Sequence, residues 1–267
     1  IITLENSFHG RTITTVKATG QSSFHQSKFA PYPDGFSFNA IDDVYNAIDD
    51  ETVAVMIELV QGEGGVFPFD KEKIKELAKF LKENDILLII DEVQTGVFRT
   101  GEFLASNLYD IEPDIITLAK GIGGGVPMGA VMTKHKDIWT AGDHGSTFGG
   151  NYLVTAAALE VLDILENLKD SGTLDETIIY FTKKLNDIFE ANRDIFITHV
   201  GLGLMRGLRV KDADTLASLI KTAFECGVMV LKSGNNTLRF LPALTISKSE
   251  IDEGFIRLQK AITKIKS

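Results

Sequence analysis

Ile86-Leu87-Leu88-Ile89-Ile90-Asp91-Glu92-Val93-Gln94 and Asp114-Ile115-Ile116-Thr117-Leu118-Ala119-Lys120-Gly121 decide how the rest of this sequence is read. Each is a short apolar run that ends in a charge, with a length suited to a strand buried on both faces of a parallel sheet. Ligands of open α/β sheets bind beyond the carboxyl ends of the strands, so Asp91 and Lys120 are expected to project into one crevice.

Working outward, Thr52 to Leu59 reads as a strand, and Ile74, Leu77, Ala78 and Leu81 fall at helical spacing within Lys71 to Asn84. With the strand at 86–91 they make a βαβ unit, which crosses over right-handed. Ile1 to Leu4 is an earlier strand feeding the polar turn Ser7-Phe8-His9-Gly10-Arg11-Thr12. Residues 20–40, rich in Gly, Ser, Pro and aromatics, are expected to be loop. After Asp91 come a loop, a short helix near Phe103 to Tyr109, and the strand delivering Lys120. Gly121, Gly123, Gly124 and Gly125 then free the backbone to turn tightly. Ala130 to Thr133 is a further strand. Asn151 is the expected N-cap of a helix from Tyr152 to Leu168, and a second helix runs from Thr173 to Asn192.

Beyond Ile195 the pattern changes to short strands at Phe196–Val200, Leu204–Val210, Val228–Leu231 and Leu238–Leu241, with helices at Asp214–Cys226 and Ser249–Ile265. Ser247 and Glu250 have the spacing of a capping box. The expected organisation is an incomplete large α/β domain over residues 1–170, then a connecting helix and a small α+β domain over 171–267. The chain opens on Ile1 within an apolar run and without an initiator Met, and is expected to be part of a longer protein.

Composition narrows the function classes. A net charge of −10 and the lack of a basic, aromatic-interleaved stripe argue against a nucleic-acid partner. No apolar run approaches the roughly 20 residues of a membrane span, and no basic signal sequence opens the chain, so no membrane partner and a cytosolic location are expected. Cys226 is the sole cysteine, which excludes internal disulfides and a thiolate cluster within one chain. The five His are scattered with no H-E-x-x-H, so no metal is expected. Asp91-Glu92 after four apolar residues also suits the magnesium strand of a P-loop ATPase, but no Gly-Lys pair occurs in the chain.

Lys120 taken alone reads as a surface lysine after a strand. At a buried strand end, however, desolvation would disfavour its ammonium form and leave an amine able to attack a carbonyl. A carboxylate on the neighbouring strand end is the partner a pyridinium nitrogen needs if pyridoxal phosphate is to act as an electron sink.

Five segments in order, Phe8-His9-Gly10-Arg11-Thr12, Gln61-Gly62-Glu63-Gly64-Gly65, Asp91-Glu92-Val93-Gln94-Thr95-Gly96, Leu118-Ala119-Lys120-Gly121 and His144-Gly145-Ser146-Thr147-Phe148-Gly149-Gly150-Asn151, together resemble the class III pyridoxal-phosphate-dependent aminotransferases. The resemblance implies an α/β fold with a mostly parallel sheet flanked by helices, the fold type I large domain, and a smaller C-terminal α+β domain. It implies a homodimer acting on small amino and oxo acids. Gly121 to Ala130 and Gly142 to Gly145 resemble most closely members that exchange an amino group between acetylornithine and 2-oxoglutarate. Members acting on ornithine, succinylornithine or 4-aminobutyrate share the catalytic residues.

By that resemblance Lys120 joins the cofactor and carries the proton, Asp91 holds the ring nitrogen protonated, and Gln94 reaches the ring hydroxyl. Phe8 and Val93 cover the two ring faces, and Thr147 donates to the cofactor phosphate of the partner's site. Arg11 takes the carboxylate farthest from the reacting amine, with Ser146 also on the substrate side. Arg239 rests on Glu63 until a carboxylate next to the reacting carbon draws it away. His9 is read as shaping its loop, and Glu58 and Glu92 carry no role beyond the local polar network. Leu59 and Tyr152 stand where the family usually has Pro. The family's Ser-Gly-Thr-Glu-Ala type phosphate loop has no equivalent in these residues, so the polypeptide as given is expected to bind the cofactor poorly.

Overall fold

A computed structural model describes residues 1–266. The strands are β1 (Ile2–Leu4), β2 (Ser37–Asn39), β3 (Ala54–Ile57), β4 (Val60–Gln61), β5 (Phe67–Pro68), β6 (Leu87–Asp91), β7 (Ile115–Leu118), β8 (Ala130–Thr133), β9 (Phe196–Leu202), β10 (Met205–Val210), β11 (Leu231–Ser233) and β12 (Thr237–Phe240). The helices are α1 (Ile13–Ala18), α2 (Val44–Ala47), α3 (Lys71–Glu83), α4 (Ala105–Tyr109), α5 (Tyr152–Asp170), α6 (Thr173–Ala191), α7 (Ala213–Glu225) and α8 (Lys248–Lys266).

The contacts divide the chain into two compact units. One holds Ile1–Leu59, Phe69–Phe98 and Glu102–Ile164; the other holds Val60–Pro68, Arg99–Gly101 and the chain from Leu165 onward. The sequence reading placed one boundary at residue 170. A cut continuous in sequence cannot register the two short excursions, because hydrogen bonds more than a hundred residues apart create them. Ser233 Oγ donates to Gly62 O at 2.7 Å, and Arg99 donates to Pro242 O at 2.7 Å.

In the first unit six strands lie in the order β2-β1-β3-β6-β7-β8. Every pairing is parallel except the last, where β8 returns antiparallel to β7. The apolar runs explain the interior position of β3 and β6: Val55, Ile57, Leu88 and Ile90 are buried. α3 closes the connection between them. Asp70 caps it by accepting from Lys73 N at 3.0 Å, and its buried stripe is Ile74, Leu77 and Leu81. Residues 20–40 depart from the loop expectation at Ser37–Asn39, which pairs in parallel with Ile2–Leu4 as an edge strand. Three residues with an exposed or half-buried pattern leave no alternation long enough to read.

The second unit contains an antiparallel sheet in the order β11-β12-β10-β9 and the short β4–β5 pair. Ser247 and Glu250 form the reciprocal cap of α8, with Ser247 N donating to Glu250 Oε2 and Glu250 N to Ser247 Oγ. The strand expected at Val228–Leu231 begins instead at Leu231. Gly227, at φ +82°, continues the end of α7, where Gly227 N donates to Phe224 O and Val228 N to Ala223 O. Those bonds satisfy helix-end carbonyls and hold the next residues out of the sheet.

Candidate active site

Four parallel strands of the first unit deliver the residues in question from their carboxyl ends. β1 runs into the turn carrying Ser7, Phe8, His9 and Arg11; β3 ends before Glu58; β6 ends at Asp91; β7 ends two residues before Lys120. The register aligns these ends, with Ile57 opposite Ile90 and Asp91 opposite Thr117.

Asp91 is 5 % exposed and accepts at both oxygens. Val93 N and Thr117 Oγ1 each donate to Oδ1 at 3.1 Å, and His9 Nδ1 lies 2.8 Å from Oδ2. An ionised carboxylate offers about four acceptor positions, so three donors leave one for a further N–H. His9, read from sequence as a loop-shaping residue, is therefore a direct partner of Asp91. A histidine 82 positions away in sequence carries no local sign of that contact. Its Nε2 is buried without a hydrogen-bond partner among the described residues.

Glu58 and Glu92 are buried beside this carboxylate. Glu58 Oε2 accepts Phe8 N at 2.9 Å, so adjacent strand ends hold two consecutive residues, Phe8 and His9. Glu92 accepts Thr95 Oγ1, Ala105 N at 3.0 Å and Ser106 N at 2.8 Å, tying α4 to the end of β6. Burial raises its carboxyl above the ordinary value, against the pull of those donors. Val93 and Gln94, half-buried, begin the loop that Glu92 closes.

Lys120 differs from expectation. It is exposed, and it opens a 3-10 turn, Lys120–Gly123, with a left-handed φ of +49°. The desolvated strand-end lysine is not what the structure shows, because β7 stops at Leu118 and the lysine lies on the turn beyond it. Gly124 completes that turn at φ +59°, where a Cβ would come within 2.6 Å of Val161. Glycine is what the close approach and the backbone both require.

Phe8 is half-buried, its ring 5.1 Å from that of Phe24. The Arg11 guanidinium carbon lies over both rings and has no hydrogen-bond or ion-pair partner among the described residues. Ser146 and Thr147 lie on an exposed loop; Ser146 Oγ accepts Gly149 N, and Thr147 has no partner among the described residues. Neither is among the three donors on Asp91.

In the second unit Arg239, 8 % exposed on β12, donates from Nη1 to Glu63 Oε1 at 2.7 Å and to Gly62 O at 3.1 Å. The turn carrying Glu63 is held by the β11–β12 hairpin: Gly234 N donates to Glu63 O and Asn235 Nδ2 to Gly64 O, each at 2.8 Å. Arg99 was not singled out in sequence. Its buried guanidinium donates to Leu204 O and Pro242 O, and burial lowers its pKa to about 10.

A parallel sheet presenting a buried carboxylate with one acceptor position left, next to the strand that leads to a lysine, has the acceptor that the ring N–H of a pyridine-based cofactor needs. The sequence matches the aminotransferase class-III family over residues 1–262, and the chain belongs to that pyridoxal-phosphate-dependent family. It is similar to the acetylornithine aminotransferase of Wolinella succinogenes, 56 % identical over 99 % of this chain and 67 % of the relative. The succinylornithine transaminase of Salmonella enteritidis is 41 % identical over 100 % of this chain and 67 % of its own length. The ornithine aminotransferase of Toxoplasma gondii, solved with partial occupancy of PLP at its active site, superimposes with a TM-score of 0.90 at 30 % identity, over 99 % of this chain and 64 % of that one. The chain thus spans about two thirds of the length of these relatives.

Among the described residues no cluster of His, Cys, Asp and Glu could hold a metal ion, and no helix is long and apolar enough to cross a membrane.

Proposed function

We propose that this chain carries the catalytic centre of an aminotransferase that moves an amino group from N2-acetylornithine to 2-oxoglutarate, giving N-acetylglutamate 5-semialdehyde and glutamate in arginine synthesis. The observation that carries the reading is Asp91: a buried carboxylate with three donors and one acceptor position left, beside the strand that leads to Lys120.

Pyridoxal phosphate, when bound, supplies the electron sink that acidifies the reacting carbon of the substrate. Asp91 would accept the N–H of the cofactor's ring nitrogen, and Gln94 would partner the ring hydroxyl. Phe8 and Val93 would cover the two faces of that ring. Lys120 Nζ would carry the proton between the reacting carbon of the substrate and the cofactor carbon, for which an exposed position on a turn allows reach. Thr147, exposed and unpartnered, is the donor to the phosphate of a second copy's site, with Ser146 on the substrate side. The supporting observation for a homodimer is α5, which leaves Tyr152, Leu153 and Leu159 exposed. A cytoplasmic location goes with this reading.

The two arginines fit two substrates. Arg11 has no acceptor among the described residues and keeps its N–H groups for the carboxylate farthest from the reacting amine. Arg239 is neutralised by Glu63, which suits an amine with no carboxylate beside it; a carboxylate next to the reacting carbon of 2-oxoglutarate competes for it. Unpairing a buried Arg costs several kcal/mol, so Arg239 moves only when a carboxylate replaces Glu63.

The test is kcat/KM of the intact protein for acetylornithine, succinylornithine, ornithine and 4-aminobutyrate, each with 2-oxoglutarate. Acetylornithine is expected to exceed ornithine and 4-aminobutyrate by at least about tenfold. Succinylornithine as the best donor would move the assignment to that substrate, and absence of amino transfer from all four would refute it.

A further inference from the structure

Arg11 is held in a way that Arg239 is not. Its guanidinium carbon lies 5.1 Å from the centroid of the Phe24 ring and 5.8 Å from that of Phe8. The two rings contact each other at 5.1 Å between centroids, tilted by 58°. Phe24 ends the 3-10 turn Ser22–Phe24, whose geometry is fixed by Phe24 N donating to Gln21 O and His25 N to Ser22 O. Arg11 also borders a cavity of about 390 Å³ lined by Ile13, Val16, Phe24, Gln26, Phe29 and Tyr32, with no acidic residue in its wall.

We infer that Phe24 is a positioning residue for substrate carboxylate binding: its ring face holds the Arg11 guanidinium while its ring braces that of Phe8. The cation–π contacts leave the guanidinium N–H groups without an acceptor among the described residues, so the fork is available to a carboxylate. The ring face attracts the cation, and the contact restricts an exposed, flexible side chain before substrate arrives. Among the described residues no carboxylate pairs with the fork. Phe24 thereby couples the residue that covers the cofactor to the residue that reads the far end of the substrate. The inference rests on the reading that Arg11 takes the distal carboxylate.

Steady-state kinetics on the intact protein, with acetylornithine and 2-oxoglutarate varied in turn, test it in four variants. Phe24→Leu keeps a large apolar side chain but removes the ring face, and is expected to raise KM for both substrates by about two- to fivefold with kcat little changed. Phe24→Tyr keeps the face and is expected to retain the wild-type KM. In an Arg11→Ala background Phe24→Leu is expected to add nothing. A Phe24→Leu effect of equal size in that background, an effect on kcat alone, or Phe24→Tyr behaving as Phe24→Leu, would overturn the inference. Arg11→Ala without any rise in KM would instead overturn the assignment of Arg11 itself.

Discussion

Asp91 and Glu92 are consecutive and both buried, yet their partners set them different tasks. Asp91 takes one side chain from β7, one from the turn after β1 and one backbone N–H, and retains an acceptor position. Glu92 spends its oxygens on Thr95, Ala105 and Ser106, within its own loop and the start of α4. Replacing Glu92 by Gln turns one acceptor oxygen into an NH2 group facing a backbone N–H, and a buried unsatisfied donor costs about 1–3 kcal/mol. Chemical denaturation of E92Q should show a loss of that size.

The raised carboxyl pKa of Glu92 adds a pH signature. Where pH lies between the ordinary glutamate range and the raised one, the folded state holds a proton that the unfolded chain has released. Stability therefore falls as pH rises through that window, and the contribution is complete only below it. Denaturation of wild type and E92Q across mildly acidic pH should show this decline in the wild type and a flatter profile in the variant. Identical profiles would remove Glu92 as its source.

At the scale of elements, α3 is the connection that lets β3 and β6 lie side by side, and its start depends on one side chain. Asp70→Ala removes the acceptor for Lys73 N, and a loss of about 1 kcal/mol is expected. A denaturant midpoint unchanged from wild type would show that packing of Ile74, Leu77 and Leu81 alone places the helix. Helix and strand were legible where the pattern was long. The stripe Ile74, Leu77, Leu81 and the run Leu87 to Asp91 predict elements whose ends fall within two residues of those observed. Short elements were not legible: β2 and α2 have three and four residues, too few for either period to emerge. In the candidate site Asp91 and Lys120 could be singled out because a charge interrupts an apolar run. His9, Glu58 and Phe24 could not, since their importance lies in contacts with residues distant in sequence or in ring geometry. The exposure of Lys120 was also hidden, because strand periodicity does not say on which side of a strand's end the chain begins to turn.

At the scale of the whole molecule, the exposed apolar residues of α5 and the unpartnered Thr147 carry the prediction of a second copy. Light scattering of the intact protein should give twice the mass of one chain. Because Thr147 is proposed to serve the partner's site, mixing Lys120→Ala with Thr147→Ala under conditions that exchange subunits should restore activity above either variant alone. A hybrid dimer then holds one site with both residues intact. A monomeric mass, or no complementation between dimeric variants, would remove the shared site.

The central claim concerns one amine. Borohydride treatment of the intact protein with pyridoxal phosphate fixes the cofactor to whichever lysine it has joined, and peptide mapping locates it. The expected result is a single pyridoxyl label on Lys120, lost in Lys120→Ala and weakened in Asp91→Asn; a label on another lysine, or one that persists in Lys120→Ala, would contradict it.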